Sequence, residues 1–211
     1  MLGNTMADKS IQMFSLDGKT AVITGGGGLL GVQHAEALAE FGANVVLLDV
    51  NRDRASKAAE LISKKYSTKT DAFYCDITSI ESVKSVCQKI EHRFGNIDIL
   101  INNAANNPQV KTTGLDLDLN SRFETFTSSQ WLQDLNVNLT GAFHCCQVFG
   151  SQMVSNNQGI IINIASDLSV IAPDQRLYRK IGETALTQKT KPVSYSVSKF
   201  GIIGLTKYLA T

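Results

Sequence analysis

What this chain of 211 residues lacks is the quickest guide to it. No apolar run approaches the ~20 residues needed to cross a bilayer, so no membrane-spanning helix and no membrane partner are expected. The first dozen residues have no hydrophobic core of the kind that marks a secretory leader; a cytoplasmic protein with a short flexible tail over residues 1–13 is expected instead. No charge of either sign dominates, since 20 Lys and Arg stand against 19 Asp and Glu for a net charge of +1. With no basic block, the chain does not read as an electrostatic binder of nucleic acid. The four cysteines, Cys75, Cys87, Cys145 and Cys146, lack metal-ligand spacing. Adjacent Cys145-Cys146 fall in a helical stretch, so buried thiols are expected rather than a disulfide, and no metal. Repeats, linkers and low-complexity segments are also missing, so residues 14–211 read as one domain of ample length for a core.

What is present is an alternation of short β-branched apolar runs with helical periodicity. Strands are expected at Thr20–Ile23, Asn44–Asp49, Thr70–Cys75, Ile97–Ile101 and Gly159–Ile164. Between them lie helices at Gly31–Phe41, Arg52–Tyr66, Ser79–Phe94 and Ser129–Met153, and a last helix runs from Val193 to the end. Continuously apolar strands alternating with helices imply an α/β fold, a three-layer doubly wound parallel sheet. Two long polar stretches, 106–128 and 167–192, each follow a strand and so emerge at the carboxyl edge of the sheet. Ligands bind at that edge in such folds, which makes both stretches candidates to enclose a substrate.

The first strand runs into Thr24-Gly25-Gly26-Gly27-Gly28-Leu29-Leu30-Gly31, which opens the first helix. Glycines there permit a tight turn and the close approach of a pyrophosphate to the helix N-terminus. Four in a row would be a wasteful way to build a plain turn, because each raises the entropy cost of folding. Asp49, 18 residues past Gly31, ends the second strand. A carboxylate there accepts both ribose hydroxyls and repels a 2′-phosphate, which favours NAD(H) over NADP(H), with Arg52 nearby as the countervailing cation. Cys75-Asp76-Ile77 and Asn102-Asn103-Ala104-Ala105 follow the third and fourth strands and suit contacts to the adenosine half, although Asp76 could equally cap the next helix.

Downstream stand Ser166 and the pentad Tyr195-Ser196-Val197-Ser198-Lys199. A tyrosine and a lysine four apart share a helix face. An ammonium there favours phenolate, and a tyrosine able to move a proton at neutral pH is an acid/base for alcohol–carbonyl chemistry.

Taken in order, the glycine loop, Asp49, Asp76, Asn102-Asn103-Ala104-Ala105, Asn138, Ser166, Tyr195 and Lys199 resemble the short-chain dehydrogenase/reductase family over about Phe14 to Thr211. The resemblance implies a Rossmann fold and an NAD(H)-dependent oxidoreductase interconverting a secondary alcohol and a ketone. It assigns acid/base to Tyr195, the reacting-oxygen contact to Ser166 and the nicotinamide-ribose contact to Lys199. To Asn138, rather than Asn136, it assigns the anchor of a water-linked proton relay. Cofactor contacts fall to Thr24, Gly25, Gly28, Leu29, Leu30, Gly31, Asp49, Asp76, Ile77, Asn103, Ala104, Ala105, Tyr195 and Lys199. A small polar substrate of a sugar-like kind, and a homodimer or homotetramer built on the two long helices, complete the expectation.

Three departures stand out. The loop reads Thr-Gly-x-x-Gly-x-x-Gly, the spacing of extended members such as sugar-nucleotide epimerases and dehydratases, which keep NAD tightly bound; Ala105 stands where glycine is usual. Ser166 and Tyr195 are 29 positions apart, about twice the family spacing, and the extra polar chain could cap a substrate. The chain stops at Thr211, inside the helix carrying Tyr195, before the sixth and seventh strands of the usual fold. A nucleotide-binding module without turnover is therefore a further alternative.

Overall fold

The computed structural model describes residues 13–107, 121–179, 181–184 and 188–211. The expected tail at 1–13 falls outside these except for Met13, as does much of the first long polar stretch. By compactness the chain divides into two units: Met1–Ala104 with His144–Ile162, and Ala105–Phe143 with Asn163–Thr211.

The first unit is built on a sheet. Its strands are β1 (Thr20–Thr24), β2 (Asn44–Asp49), β3 (Thr70–Tyr74), β4 (Ile99–Asn102) and β5 (Ile160–Asn163). Their spatial order is β3-β2-β1-β4-β5, with β1 parallel to both β2 and β4, and β2 parallel to β3. Every residue of β1 and β4 is buried, as expected of strands covered on both faces. Between strands run α1 (Leu29–Glu40), α2 (Arg52–Tyr66) and α3 (Ile80–Phe94). These helices bury small or branched residues, Ala35 and Ala39 in α1, Ala55 and Ile62 in α2, Val83 and Ile90 in α3. All four cysteines are free and buried. Burial pushes the thiols up, to about 11 for Cys75 and Cys146 and about 12 for Cys87, so they stay protonated and inert.

Local chemistry starts these helices. The Asn51 side chain accepts the Arg54 N–H at 3.0 Å ahead of α2, and Ser79 accepts the Ser82 N–H at 3.2 Å ahead of α3. Asp53 in the first turn of α2 and Lys64 and Lys65 in its last complement the helix dipole. Gly42 and Gly95 follow α1 and α3 at positive φ, 95° and 79°, which fits the helix stops read from sequence.

The second unit is helical. The single long helix expected over 129–153 is instead α4 (Ser128–Leu135), a π-helical turn (Asn136–Thr140) and α5 (Gly141–Ser155), with α5 passing into the first unit after Phe143. The Gly141 N–H reaches the Asn136 carbonyl five residues back, the widened bond of a π-turn. One extra residue in a turn leaves the apolar pattern readable as helix, so periodicity alone cannot see it. The final helix, α6 (Val193–Leu209), starts where expected. The second polar stretch holds two short 3₁₀ turns, Asp167–Ser169 and Gln175–Tyr178. Among the described residues no helix is long and apolar enough to cross a membrane.

Gly31 offers a direct test of the loop packing. A Cβ there would meet the Gly25 carbonyl oxygen at 2.2 Å and Gly26 Cα at 2.9 Å, both backbone. Gly31→Ala should cost about 1–3 kcal/mol and lower the thermal midpoint by roughly 2–12 °C. Gly204→Ala in α6, with nothing within 4 Å, should leave the midpoint unchanged or raise it slightly. Differential scanning calorimetry of the two variants checks the contrast.

Candidate active site

In the first unit, the sheet order reverses between β1 and β4, and the ends of these strands are tied together there. Thr24 Oγ1 accepts the N–H groups of Asn103 and Ala104, each at 3.1 Å. The Asn103 amide donates back to the carbonyls of Thr24 and Gly25 at 3.0 and 3.2 Å. A crevice outside the carboxyl ends of strands at such a switch point is where these folds bind ligands.

The glycine loop turns sharply at Gly25, φ 62°, and closes with the Gly28 N–H on the Gly25 carbonyl at 3.0 Å. Side chains are excluded physically: a Cβ on Gly25 would press on Ala104 Cα at 2.9 Å, and one on Gly26 on Leu47 Cβ at 2.7 Å. Gly28 is the N-cap of α1 and offers no side-chain cap, so orphan N–H groups of the first turn are left for an anion. Leu29 and Leu30 open α1 with exposed side chains. Bare glycine backbone at an uncapped helix start suits a pyrophosphate, so a dinucleotide fits the residues present.

Asp49 is buried, and its Oδ2 accepts the Gly27 N–H at 2.9 Å while Oδ1 accepts the Asn51 N–H at 2.9 Å. The carboxylate is thus held against the glycine loop rather than capping α2, a task that Asn51 performs. Arg52 is exposed in the first turn of α2, and the guanidinium that approaches Asp49 belongs to Arg54, with Nη2 at 3.7 Å from Oδ2. Arg54 was missed from sequence because three arginine or acidic neighbours share that turn and only the helix phase selects one. Asp76 accepts the Thr78 N–H and hydroxyl at 2.9 and 2.7 Å, while Ser79 caps α3. Ile77 is buried, and its carbonyl contacts His144 Nδ1 at 3.0 Å.

In the second unit, Asn138 sits in the π-turn and is 3% exposed. Its Oδ1 accepts the Asn106 N–H at 2.5 Å, and its Nδ2 donates to the Asn106 carbonyl at 3.0 Å and to Ser198 Oγ at 3.3 Å. The Ser198 hydroxyl donates to the Tyr195 carbonyl at 3.0 Å. Lys199, one position on, is buried and donates Nζ to the Ile164 carbonyl at 2.5 Å, with the ammonium 5.8 Å from the Tyr195 ring centroid. Burial holds that ammonium below the usual lysine range. Ser166 precedes the 3₁₀ turn at Asp167; its hydroxyl accepts the Leu168 N–H at 3.2 Å and donates to Asp167 Oδ1 at 2.8 Å. Presenting that proton to another acceptor therefore requires it to leave Asp167 by rotation about the Cβ–Oγ bond. Ala105 is exposed at the start of this unit.

Two further groups escaped the sequence reading. Asp134 is 1% exposed, yet its partners are neutral: Ser194 Oγ at 2.5 Å, Gln130 Nε2 at 2.9 Å and Asn106 Nδ2 at 3.2 Å. It therefore links the residue before Tyr195 to the segment that Asn138 clamps, and nothing in a lone aspartate within a polar helix signals that burial. Lys191 lies four residues before Tyr195, its ammonium 4.0 Å from the ring centroid and bonded to Asn107 Oδ1. Its i−4 spacing was legible, but the helix begins only at Val193. Among the described residues no cluster of His, Cys, Asp or Glu could hold a metal ion.

The family model described as short chain dehydrogenase matches residues 19–178. The chain belongs to the short-chain dehydrogenase family. It is 32% identical over 198 residues to the D-threitol dehydrogenase of Mycolicibacterium smegmatis, covering 93% of this chain and 65% of the relative. The structure of an NAD⁺-bound xylitol dehydrogenase superposes with a TM-score of 0.77 at 31% identity, over 92% of this chain and 64% of that one. An NADPH-dependent 3-quinuclidinone reductase from Rhodotorula rubra superposes with a TM-score of 0.75 at 26% identity, over 100% of this chain and 68% of that one. This short-chain dehydrogenase thus spans about 65% of the length of the curated relative, and the two solved structures take different nicotinamide cofactors.

Two measurements probe the second unit of this family member. Asp134→Ala leaves the buried Ser194 hydroxyl without its acceptor, at about 1–3 kcal/mol, and frees the part-buried amides of Gln130 and Asn106, so the midpoint should fall by at least about 2 °C in thermal denaturation. Lys199 binds its proton less tightly folded than unfolded, so its burial costs stability at neutral pH and that cost fades as pH rises towards the unfolded value of about 10.4. The midpoint of the unsubstituted chain relative to Lys199→Met should accordingly climb as pH is raised from 8 to about 10.

Proposed function

We propose that this chain is, or forms the greater part of, a nicotinamide-dependent oxidoreductase interconverting a secondary alcohol and a ketone on a polar, sugar-like substrate. The observation that carries the reading is the helix α6 cluster: Tyr195 beside the Lys199 ammonium, its backbone tied through Ser198 to the buried amide of Asn138. Similarity to polyol dehydrogenases supports the polar substrate class.

The nicotinamide supplies or accepts hydride at the carbinol carbon when bound. Tyr195 Oη moves the proton at the substrate oxygen, and Ser166 Oγ donates a hydrogen bond to that same oxygen. Lys199 would hold the nicotinamide ribose through its ammonium. Asn138 steadies a water that returns protons to the site. Thr24, Gly25, Gly28, Leu29, Leu30 and Gly31 would hold the pyrophosphate half; Asp49, Asp76, Ile77, Asn103, Ala104 and Ala105 would hold the adenosine half.

Asp49 favours NAD(H), because its buried carboxylate accepts ribose hydroxyls and opposes a 2′-phosphate. The Arg54 guanidinium, 3.7 Å from that carboxylate, works against this preference. A homodimer or homotetramer is proposed through α4–α5 and α6, whose exposed Leu132, Val154, Val197 and Phe200 give each helix apolar surface.

Calorimetric titration with NADH and NADPH should show the tighter affinity for NADH; the reverse order would sink the Asp49 argument. In a coenzyme-absorbance assay over a polyol panel, Tyr195→Phe should lower turnover roughly 10²–10⁴-fold with NADH affinity unchanged. A variant that keeps full turnover would remove Tyr195 from the chemistry.

A further inference from the structure

The second unit contains a cleft of about 350 Å³ that the acid/base cluster does not account for. Its walls are fastened to one another. Thr190 donates its N–H to Ser121 Oγ at 3.3 Å and its hydroxyl to the Ser121 carbonyl at 2.9 Å. The Gln175 amide accepts the Lys191 N–H at 2.9 Å and donates to the Lys191 carbonyl at 3.3 Å. Residues from the long insertion between Ser166 and Tyr195 thus form a shaped wall.

Three charged residues stand along the cleft, two basic and one acidic. Arg122 and Lys191 both line it. The Arg122 side chain is 19% exposed, with Nη1 donating to the Gln188 carbonyl at 3.4 Å and Nη2 to Glu124 at 3.1 Å. Glu124, the acidic residue of the lining, is 66% exposed at the rim and so weakly held. Ser196 Oγ, in the same wall, is buried and has no hydrogen-bond partner among the described residues. Buried hydroxyls without partners are rare enough to require an explanation. The cleft adjoins Tyr195 through two of its lining residues: Ser196 follows Tyr195 in α6, and the Lys191 ammonium lies over the Tyr195 ring and bonds Asn107 Oδ1. Burial pushes that ammonium down, and a neighbouring anion would favour its charged form.

We propose that this cleft is an anion-binding subsite beside Tyr195. The substrate it fits is a polyhydroxy chain ending in a carboxylate or phosphate, the anion bound by Lys191, Arg122 and the Ser196 hydroxyl. The inference rests on the oxidoreductase reading and narrows it, separating anionic sugars from neutral polyols. Guanidinium and ammonium together suit either anion, and the Arg122 fork adds bidentate geometry.

Calorimetric titration with D-gluconate, D-glucitol 6-phosphate and D-glucitol, with and without NADH, tests it. At least one anion should bind about tenfold or more tightly than glucitol, and the tighter arm identifies carboxylate or phosphate. Lys191→Gln and Arg122→Gln should each erase about tenfold of that preference while NADH affinity holds. On the unsubstituted chain, added salt should weaken the anion and not glucitol, which keeps the test readable if a variant fails to fold. Equal binding of all three ligands, binding of none, or an anion preference untouched by both substitutions would overturn the proposal. Loss of NADH binding with the anion preference intact would count instead against the dinucleotide reading.

Discussion

The buried amide of Asn138 is the joint on which the second unit of this molecule depends. One side chain saturates both backbone groups of Asn106 and still reaches Ser198 on the helix carrying Tyr195 and Lys199. An amide can do this because it offers an acceptor and two donors in one plane, which no hydroxyl or carboxylate matches. The π-turn at Asn136–Thr140 bears that residue, and such widened turns recur at functional sites. Asp134 reinforces the joint from the preceding turn by holding Asn106 and Ser194 together. A carboxylate buried among neutral donors demands that every donor stay in place, so the network is stiff.

The dinucleotide half rests on a different constraint, the absence of side chains. Gly25, Gly26 and Gly31 lie where any Cβ would overlap backbone or the base of Leu47. Tight packing of loop, β1 and α1 leaves the helix start without a side-chain cap, the kind of terminus at which anions are favoured. Asp49 then serves two purposes with one carboxylate, bracing Gly27 and presenting a negative charge beside the loop. Arg54 sets a guanidinium 3.7 Å from that carboxylate, so opposite charges face each other on neighbouring elements.

Much of this was legible beforehand. Strands β1, β2 and β4 were visible because they are continuously apolar, and the helix ends at Gly42 and Gly95 because only glycine takes their positive φ easily. Asp49, Asn138, Ser166, Tyr195 and Lys199 were named from spacing and resemblance. Their bonding partners were not. Asn106, Asp134, Ser194 and Arg54 carry no local signal, since each is an ordinary polar residue in a polar stretch. The break of the long helix into α4, π-turn and α5 escaped for a related reason: inserting one residue in a turn changes hydrogen bonding more than hydrophobic period.

By itself the sequence carried the motifs whose resemblance points to the family, and the alternating strand–helix order. That order follows from periodicity, a property of neighbours along the chain. Tertiary structure alone decided which ammonium lies over Tyr195, which guanidinium faces Asp49, and that Arg122 and Ser196 share a cleft with Lys191. The physical reason is distance: Coulomb and hydrogen-bond energies depend on separations of a few ångströms, and residues such as Asp134 and Ser194, 60 positions apart, acquire theirs only through folding.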